Sequence, residues 1–182
     1  MDDDFKKLLW NIPGDIRVEL GDEFDRNFER QAFFSRAWQR RRSPGKAGRA
    51  TLAGSGSLRR SIKSRIDPSG AITFYSELPY AAIHNEGGEI RVTERMKRYF
   101  WRRYYETTGV FGRRKDGTVR RDKRNVRLDT EADFWKAMAL MKSGSVIRIP
   151  RRQFIGYSPE VEKAVREIIE ENLDEYFKNL KI

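Results

Sequence analysis

The last two dozen residues restrict the fold more than any other stretch. Ser158-Pro159 reads as a helix start: a serine hydroxyl can accept from the first free amides, and proline suits the first helical position, where its missing N–H is not needed. Val161, Val165, Ile168, Asn172, Tyr176 and Leu180 then fall near one stripe, widened by Ala164, Ile169, Leu173 and Phe177. A helix with such a face must cover it with another apolar surface. The N-terminal part offers one. Ile16, Leu20, Phe24 and Phe28 repeat every four residues, which predicts a helix from about 15 to 33 with Asp15 as its cap. Phe5, Leu8 and Leu9 predict a separate short helix, stopped near Pro13-Gly14.

Between these helices the period changes. Ile62, Ser64 and Ile66 alternate with Lys63 and Arg65, and Asp67-Pro68-Ser69-Gly70 has hairpin-turn chemistry before a returning strand at 71–76. Val146 to Ile149 is a strand ended by Pro150, and 90–92 is a further short extended piece. The expected fold is therefore α+β: a small antiparallel sheet of three to four strands, with 90–92 at an edge, packed by long N- and C-terminal helices. Residues 39–57, rich in Arg, Ser, Gly and Pro, predict a flexible basic loop. Residues 91–145 predict a helical and basic insert. In it, Thr93 caps a helix carrying Met96, Tyr99, Phe100 and Tyr104. Residues 107–127 read as a loop or flexible hairpin. Thr130 with Asp133 resembles a capping box for a helix holding Phe134, Met138 and Met141 and stopped at Gly144. The length predicts one domain, 1–182, large enough to bury a core without disulfides.

The centre of the chain is Leu78-Pro79-Tyr80-Ala81-Ala82-Ile83-His84-Asn85-Glu86-Gly87-Gly88, which holds the only histidine. Pro79 biases Leu78 to an extended conformation. Tyr80, Ile83 and His84 then share one face of a short helical turn, and the glycines stop it.

Charge is distributed unevenly. The net charge is +11, which points to an acidic partner, nucleic acid among the possibilities. Residues 36–65 carry ten Lys/Arg and no Asp/Glu, and 91–127 carry fourteen against four. Both ends are acidic: 1–35 has nine acids against five bases, and 159–182 has seven against four. With no cysteine there is no disulfide framework and no thiolate zinc site. No apolar run is long enough to span a membrane, and the acidic N-terminus is unlike a secretory signal.

The search for chemistry finds no catalytic set. His84 has no second histidine or cysteine to share a metal, and Glu86 and Glu89 are a poor ligand set, so it is expected to make one structural or interface hydrogen bond. Ser55 and Ser57 lack the spacing of a nucleophile elbow, and no phosphate loop or dinucleotide fingerprint occurs. No enzyme, metal or cofactor is expected. Arg98, Arg102 and Arg103, interleaved with Tyr99, Phe100, Trp101 and Tyr104, could contact phosphate, as could Arg113 and Arg114. The same spacing also suits an amphipathic helix with its arginines outward, and that reading is preferred.

The central stretch, Val92-Thr93-Glu94-Arg95-Met96 and Ile149-Pro150-Arg151-Arg152-Gln153-Phe154-Ile155-Gly156 resemble phage virion morphogenesis proteins, which belong with the Mu-like tail completion proteins. Upstream, Trp38, Leu52 and Gly56-Ser57-Leu58-Arg59-Arg60-Ser61-Ile62 resemble the family's tryptophan and its G-x-L-r-x-S-I segment. The resemblance runs from about Phe28 to the last helix. It implies a small α+β subunit without catalytic residues, a homo-oligomer that completes the tail or joins head to tail with other tail or connector proteins. It would be found in the virion and, during assembly, in the host bacterial cytoplasm. Arg and aromatic residues favour interfaces, so Tyr80, His84, Arg151, Arg152 and Phe154 are the interface candidates. The basic stretch 107–127 is longer than the family's minimal pattern and receives no role from it. The alternative is a basic nucleic-acid-binding protein that contacts phosphate through 36–65 and 91–127.

Overall fold

The computed structural model describes residues 3–41 and 50–180. Its elements in order are α1 (Asp3–Arg30), β1 (Ala32–Phe33), β2 (Arg36–Ala37), α2 (Ser57–Arg60), β3 (Ile62–Ile66), β4 (Ile72–Ser76), α3 (Ala81–Glu86), β5 (Gly88–Arg91), α4 (Glu94–Gly109), α5 (Lys123–Leu140), β6 (Val146–Ile149) and α6 (Pro159–Asn179). The class is α+β, as expected. The chain forms two compact units: unit 1 is Met1–Gln39, Ala50–Glu86 and Arg151–Ile182, and unit 2 is Arg40–Arg49 and Gly87–Pro150. Unit 2 spans the insert read at 91–145. Of the predicted flexible loop 39–57, residues 42–49 lie outside the described residues.

In unit 1 the two long helices run against each other, as their stripes require. Ile16, Leu20 and Phe24 of α1 meet Phe33 and Ile168 of α6, with Ile72 and Phe74 of β4 packed onto them. The buried Phe24 ring meets the half-buried Phe74 ring edge to face with centroids 4.9 Å apart, and full burial of a ring such as Phe24 contributes about 1.5–3 kcal/mol. A second cluster joins Phe28, Trp38, Leu58, Ala81 and Phe154. Ser158 caps α6 by accepting from the Val161 amide at 3.3 Å, with Pro159 in the first turn.

Pro13 does not end a helix. It lies inside α1, which continues for 28 residues. The missing N–H and the ring clash cost about 3 kcal/mol. The i, i+4 stripe Leu8, Ile12, Ile16, Leu20 continues across the proline, with Leu8, Ile16 and Leu20 buried. Phe5, one turn earlier, meets Tyr176 of α6 with ring centroids 5.7 Å apart. Packing along α6 outweighs the local break.

The strands are antiparallel throughout but do not share a sheet. They form three separate two-stranded ribbons, β1–β2, β3–β4 and β5–β6. The hairpin turn is as read: Asp67 Oδ1 accepts from the Ser69 and Ala71 amides, and Gly70 takes φ +84. The strand at 146–150 does not extend this hairpin. It pairs with β5, in the register Gly88↔Ile149 to Arg91↔Val146, because the α4–α5 pair returns the chain beside its starting point. The ladder ends where Val92 exchanges hydrogen bonds with Ser145 O and Gly144 N, both at 2.8 Å.

Unit 2 is mainly α4 packed on α5. Thr93 caps α4 as expected, accepting from Met96 N at 3.2 Å. α5 begins earlier than the capping box at Thr130: its cap is Asp122, which accepts from Asn125 N at 2.8 Å. Thr130 sits within the helix and bonds back to Val126 O. The loop read at 107–127 therefore shrinks to a short hairpin-like turn, bridged at Arg113↔Val119. Asn125 holds it from inside by accepting from Gly112 N and donating to Gly112 O and Arg120 O.

Candidate interface around the central turn

The central stretch folds as its residues dictate. Leu78 leads out of β4, Pro79 turns the chain, and the Ala81 amide donates to Leu78 O at 2.9 Å to open α3. Gly87 closes α3 at φ +78, a conformation that only glycine adopts without strain. This turn sets Tyr80 against His84, edge to face with centroids 6.1 Å apart. Tyr80 remains 41% exposed.

Opposite α3 lies 151–157, which has no regular structure, so its buried amides and carbonyls need partners from elsewhere. The Arg152 amide donates to His84 O at 2.8 Å. Asn85 Oδ1 accepts from the Phe154 and Ile155 amides at 2.9 and 3.2 Å. Asn27 Nδ2 donates to Phe154 O, and Trp38 Nε1 donates to Gln153 O at 2.7 Å. The central stretch, the segment 151–157, Trp38 and Asn27, far apart in sequence, are therefore one hydrogen-bonded cluster.

The five interface candidates separate on inspection. Phe154 is 0% exposed and packs on Phe28 with centroids 5.4 Å apart. It plugs the core and offers no interface surface. Arg151 is exposed and donates to Gln153 Oε1. Arg152 is buried, 6% exposed, with Nε donating to Gln39 O at 2.9 Å. No carboxylate among the described residues pairs with it. Burial lowers its pKa from the ordinary guanidinium value. His84 is half-buried, and its Nδ1 is enclosed without a hydrogen-bond partner. Burial, and secondly the charge of Arg152, push the imidazole pKa below its usual value, so the ring is neutral at pH 7.

The five candidate phosphate contacts all lie in unit 2 and also divide. Arg102 lies over the Tyr99 ring at 5.4 Å and pairs with Glu106. Arg103 lies over Trp135 at 5.5 Å and pairs with Glu106 at 2.7 Å and Glu131 at 3.7 Å. Arg102 is thus engaged within α4, and Arg103 ties α4 to α5. Arg98, Arg113 and Arg114 are exposed, and none has a carboxylate partner among the described residues. Phe100 is buried as the amphipathic reading requires, whereas Tyr99 is 46% exposed.

Sequence reasoning missed the two asparagines that organise the cluster. Asn27, 0% exposed, binds Phe154 O and accepts from Phe34 N. A signal existed, an amide inside the apolar stripe of α1, since polar groups in such places are kept for a partner. Asn85 carried no such signal. Among the described residues no group of His, Asp and Glu is arranged to hold a metal ion, and no helix is long and apolar enough to cross a membrane.

These features define a class: a small α+β protein whose most distinctive residues serve packing and mutual hydrogen bonding. The model of the phage virion morphogenesis family matches residues 16–174, and the chain belongs to that family. Neither the curated proteins nor the solved structures contain a significant match.

Proposed function

We propose that this protein is a non-enzymatic assembly subunit of a tailed phage or prophage, acting in tail completion or head–tail joining. The family match across 16–174 carries the reading, since it includes every segment that meets around α3. The whole chain is one virion morphogenesis domain with unit 2 as its insert. It works as a homo-oligomer docked on other tail or connector proteins, in the virion and, during assembly, in the host bacterial cytoplasm. Charge supports self-association. Unit 2 holds 22 Lys/Arg against 8 Asp/Glu, net +14, and unit 1 holds 16 against 19, net −3. Copies that set the acidic α6 against a basic surface of the next attract each other, and several weak pairs bias register and speed encounter.

The test is the mass of the purified protein, alone and mixed with tail-tube or connector protein, together with electron microscopy of lysates lacking it. An oligomer, a complex and unjoined or incomplete particles are expected. A monomer that binds neither component, with normal particles in its absence, overturns the reading.

The cations of 36–65, with no acid among them in sequence, and the net +14 of unit 2 favour one rival, a nucleic-acid-binding role through 36–65 and 91–127. Duplex DNA binding that falls steeply with salt, beside self-association indifferent to salt, would move the assignment there.

A further inference from the structure

Arg152 is the one arginine of unit 1 that is nine-tenths buried, and its charge has no counter-ion among the described residues. Its Nε is fixed on Gln39 O, while its two terminal amino groups make no hydrogen bond there. Beside it, His84 Nδ1 is enclosed and unpartnered. Exposed Tyr80 and Arg151 adjoin these residues in sequence and packing. Buried charges are ordinarily paired. This cluster supplies positive charge and hydrogen-bond capacity and lacks an anion.

The same unit carries the complementary excess. Glu170, Glu171, Asp174 and Glu175, in the C-terminal half of α6, are exposed, and no Lys or Arg among the described residues pairs with them. Negative charge is disfavoured towards that end of a helix. Glu171 and Glu175 also line a cleft of about 310 Å³ with Asp15 and Glu19 of α1. The many cations of unit 2 are mostly exposed and hydrated, so a carboxylate gains little by meeting any one of them. Arg152, already stripped of water, gains most from a partner.

We infer that Arg152, beside the enclosed His84 and flanked by exposed Arg151, forms a carboxylate-receiving site, filled by an acidic side chain from the C-terminal half of α6 of a second copy of this chain. The guanidinium donates through its terminal N–H groups to the carboxylate oxygens, the geometry in which arginine binds carboxylate most strongly. Arg151 takes a second acid one turn away, since Glu171 and Glu175 are four apart. Donor and receiver are different surfaces, so the contact is head to tail and adds copies until a ring closes. This deepens the oligomeric assembly role proposed above and rests on it.

Sedimentation velocity decides it, on four samples: wild type, Arg152→Met, the α6 variant with Glu170→Gln, Glu171→Gln, Asp174→Asn and Glu175→Gln, and an equal mixture of the two variants. Each variant alone should associate roughly tenfold or more weakly than wild type, the loss typical of a charge-assisted pair. The mixture should form one-to-one dimers and stop, because each variant retains one half of the contact. Thermal melts check the fold. Arg152→Met should melt no lower than wild type, since it removes an unpaired buried charge, and the α6 changes lie at exposed positions. Wild-type oligomers with either variant assembling equally well, or a mixture that stays monomeric or grows past dimers, would overturn the site and leave the assembly role standing. A wild type that is monomeric at every concentration would remove the self-association reading itself.

Discussion

Unit 1 and unit 2 place their aromatic residues differently. In unit 1 five rings, Phe24, Phe28, Phe33, Trp38 and Phe154, are buried, each under 9% exposed, although Trp10, Tyr80, Tyr157 and Phe177 stand more than 40% exposed at its surface. In unit 2, Phe100 is the buried ring among the described residues, while Tyr99 and Tyr105 are 46% and 63% exposed and Val126 and Leu140 more than 60%. Unit 2 is held instead by the packing of α4 on α5, where Ala132 and Ala139 of α5 are buried, by Arg103 of α4 laid over Trp135 of α5, and by the Asn125 latch. It does so against a net charge of +14, where unit 1 carries −3. Burial of apolar area holds unit 1, and local pairing holds unit 2 against its own repulsion. Regions with few buried apolar side chains open first, so amides of α4 and α5 should exchange faster than those of α1 and α6.

The largest effect expected from this contrast is at Phe154. Phe154→Ala removes a fully buried ring from the second cluster and should destabilise unit 1 by about 3–5 kcal/mol, and Ile168→Ala by about 2–5 kcal/mol in the first. Both are measurable by denaturant unfolding followed by tryptophan fluorescence, with Trp38 reporting from the buried cluster. A loss confined to α4 and α5 amides in hydrogen exchange would reverse the comparison.

Next come Asn85 of unit 1 and Asn125 of unit 2. Asn85→Ala leaves the Phe154 and Ile155 amides without their acceptor. Unpaired buried groups cost about 1–3 kcal/mol each, and the Ile155 amide belongs to a half-buried residue that water can reach, so about 2–4 kcal/mol is expected for the two. Asn125→Ala frees Gly112 and Arg120 in a turn that water reaches, and should cost about 1–2 kcal/mol. Its signature is protease sensitivity at 112–121 with α1 and α6 unaffected. Equal global losses from both variants would mean that the units do not differ as described.

How far the sequence disclosed this structure follows from the range of each signal. α6, α3 and the β3–β4 hairpin were legible because Ser158-Pro159, Gly87 and Asp67-Pro68-Ser69-Gly70 act on residues within one turn of themselves. The same local reading failed at Pro13 and Thr130. Both are helix breakers or starters in isolation, overridden by the stripe that Leu8 and Ile16 continue and by the earlier cap at Asp122. The partner of β6 was not legible, since nothing in Val146 to Ile149 distinguishes β5 from the hairpin. At the interface, the motif residues were visible but their division was not. Arg151 and Arg152 are adjacent and chemically identical. Only the fold makes one exposed and the other buried, and only the fold brings Asn27 to Phe154 across 127 positions.

Salt sharpens the comparison further. Screening weakens the self-repulsion of unit 2 and leaves the apolar contacts of unit 1 intact. Hydrogen-exchange protection of α4 and α5 should rise from low to moderate salt by about a factor of five, equivalent to about 1 kcal/mol, while that of α1 and α6 stays level. A uniform response of all four helices would show that net charge does not separate the units.

The smallest effect concerns the ion pairs that unit 1 does use. Arg59 of α2 reaches back to α1, where it pairs with Asp25 and, at 2.7 Å, with Glu29. The hydrogen bond from Arg59 holds the Asp25 carboxyl below the ordinary aspartate range, against a smaller opposing effect of burial. A carboxyl with a depressed folded pKa contributes stability above its unfolded pKa and loses it as pH falls through the folded value. The contribution is therefore complete at pH 7 and disappears in acid, below the usual carboxylate range. Asp25 is about half exposed, so solvent screening limits it to at most about 1 kcal/mol. In a chain of this length that amounts to about 2–4 °C in melting temperature. Asp25→Asn should thus melt slightly below wild type at pH 7, and the gap should close as the pH is lowered or salt is added. A gap that persists in acid would mean that Asp25 acts through shape and neutral hydrogen bonding. The attachment of α2 to α1 would then rest on Leu58 burial alone, and unit 1 would owe still less to charge than its contrast with unit 2 requires.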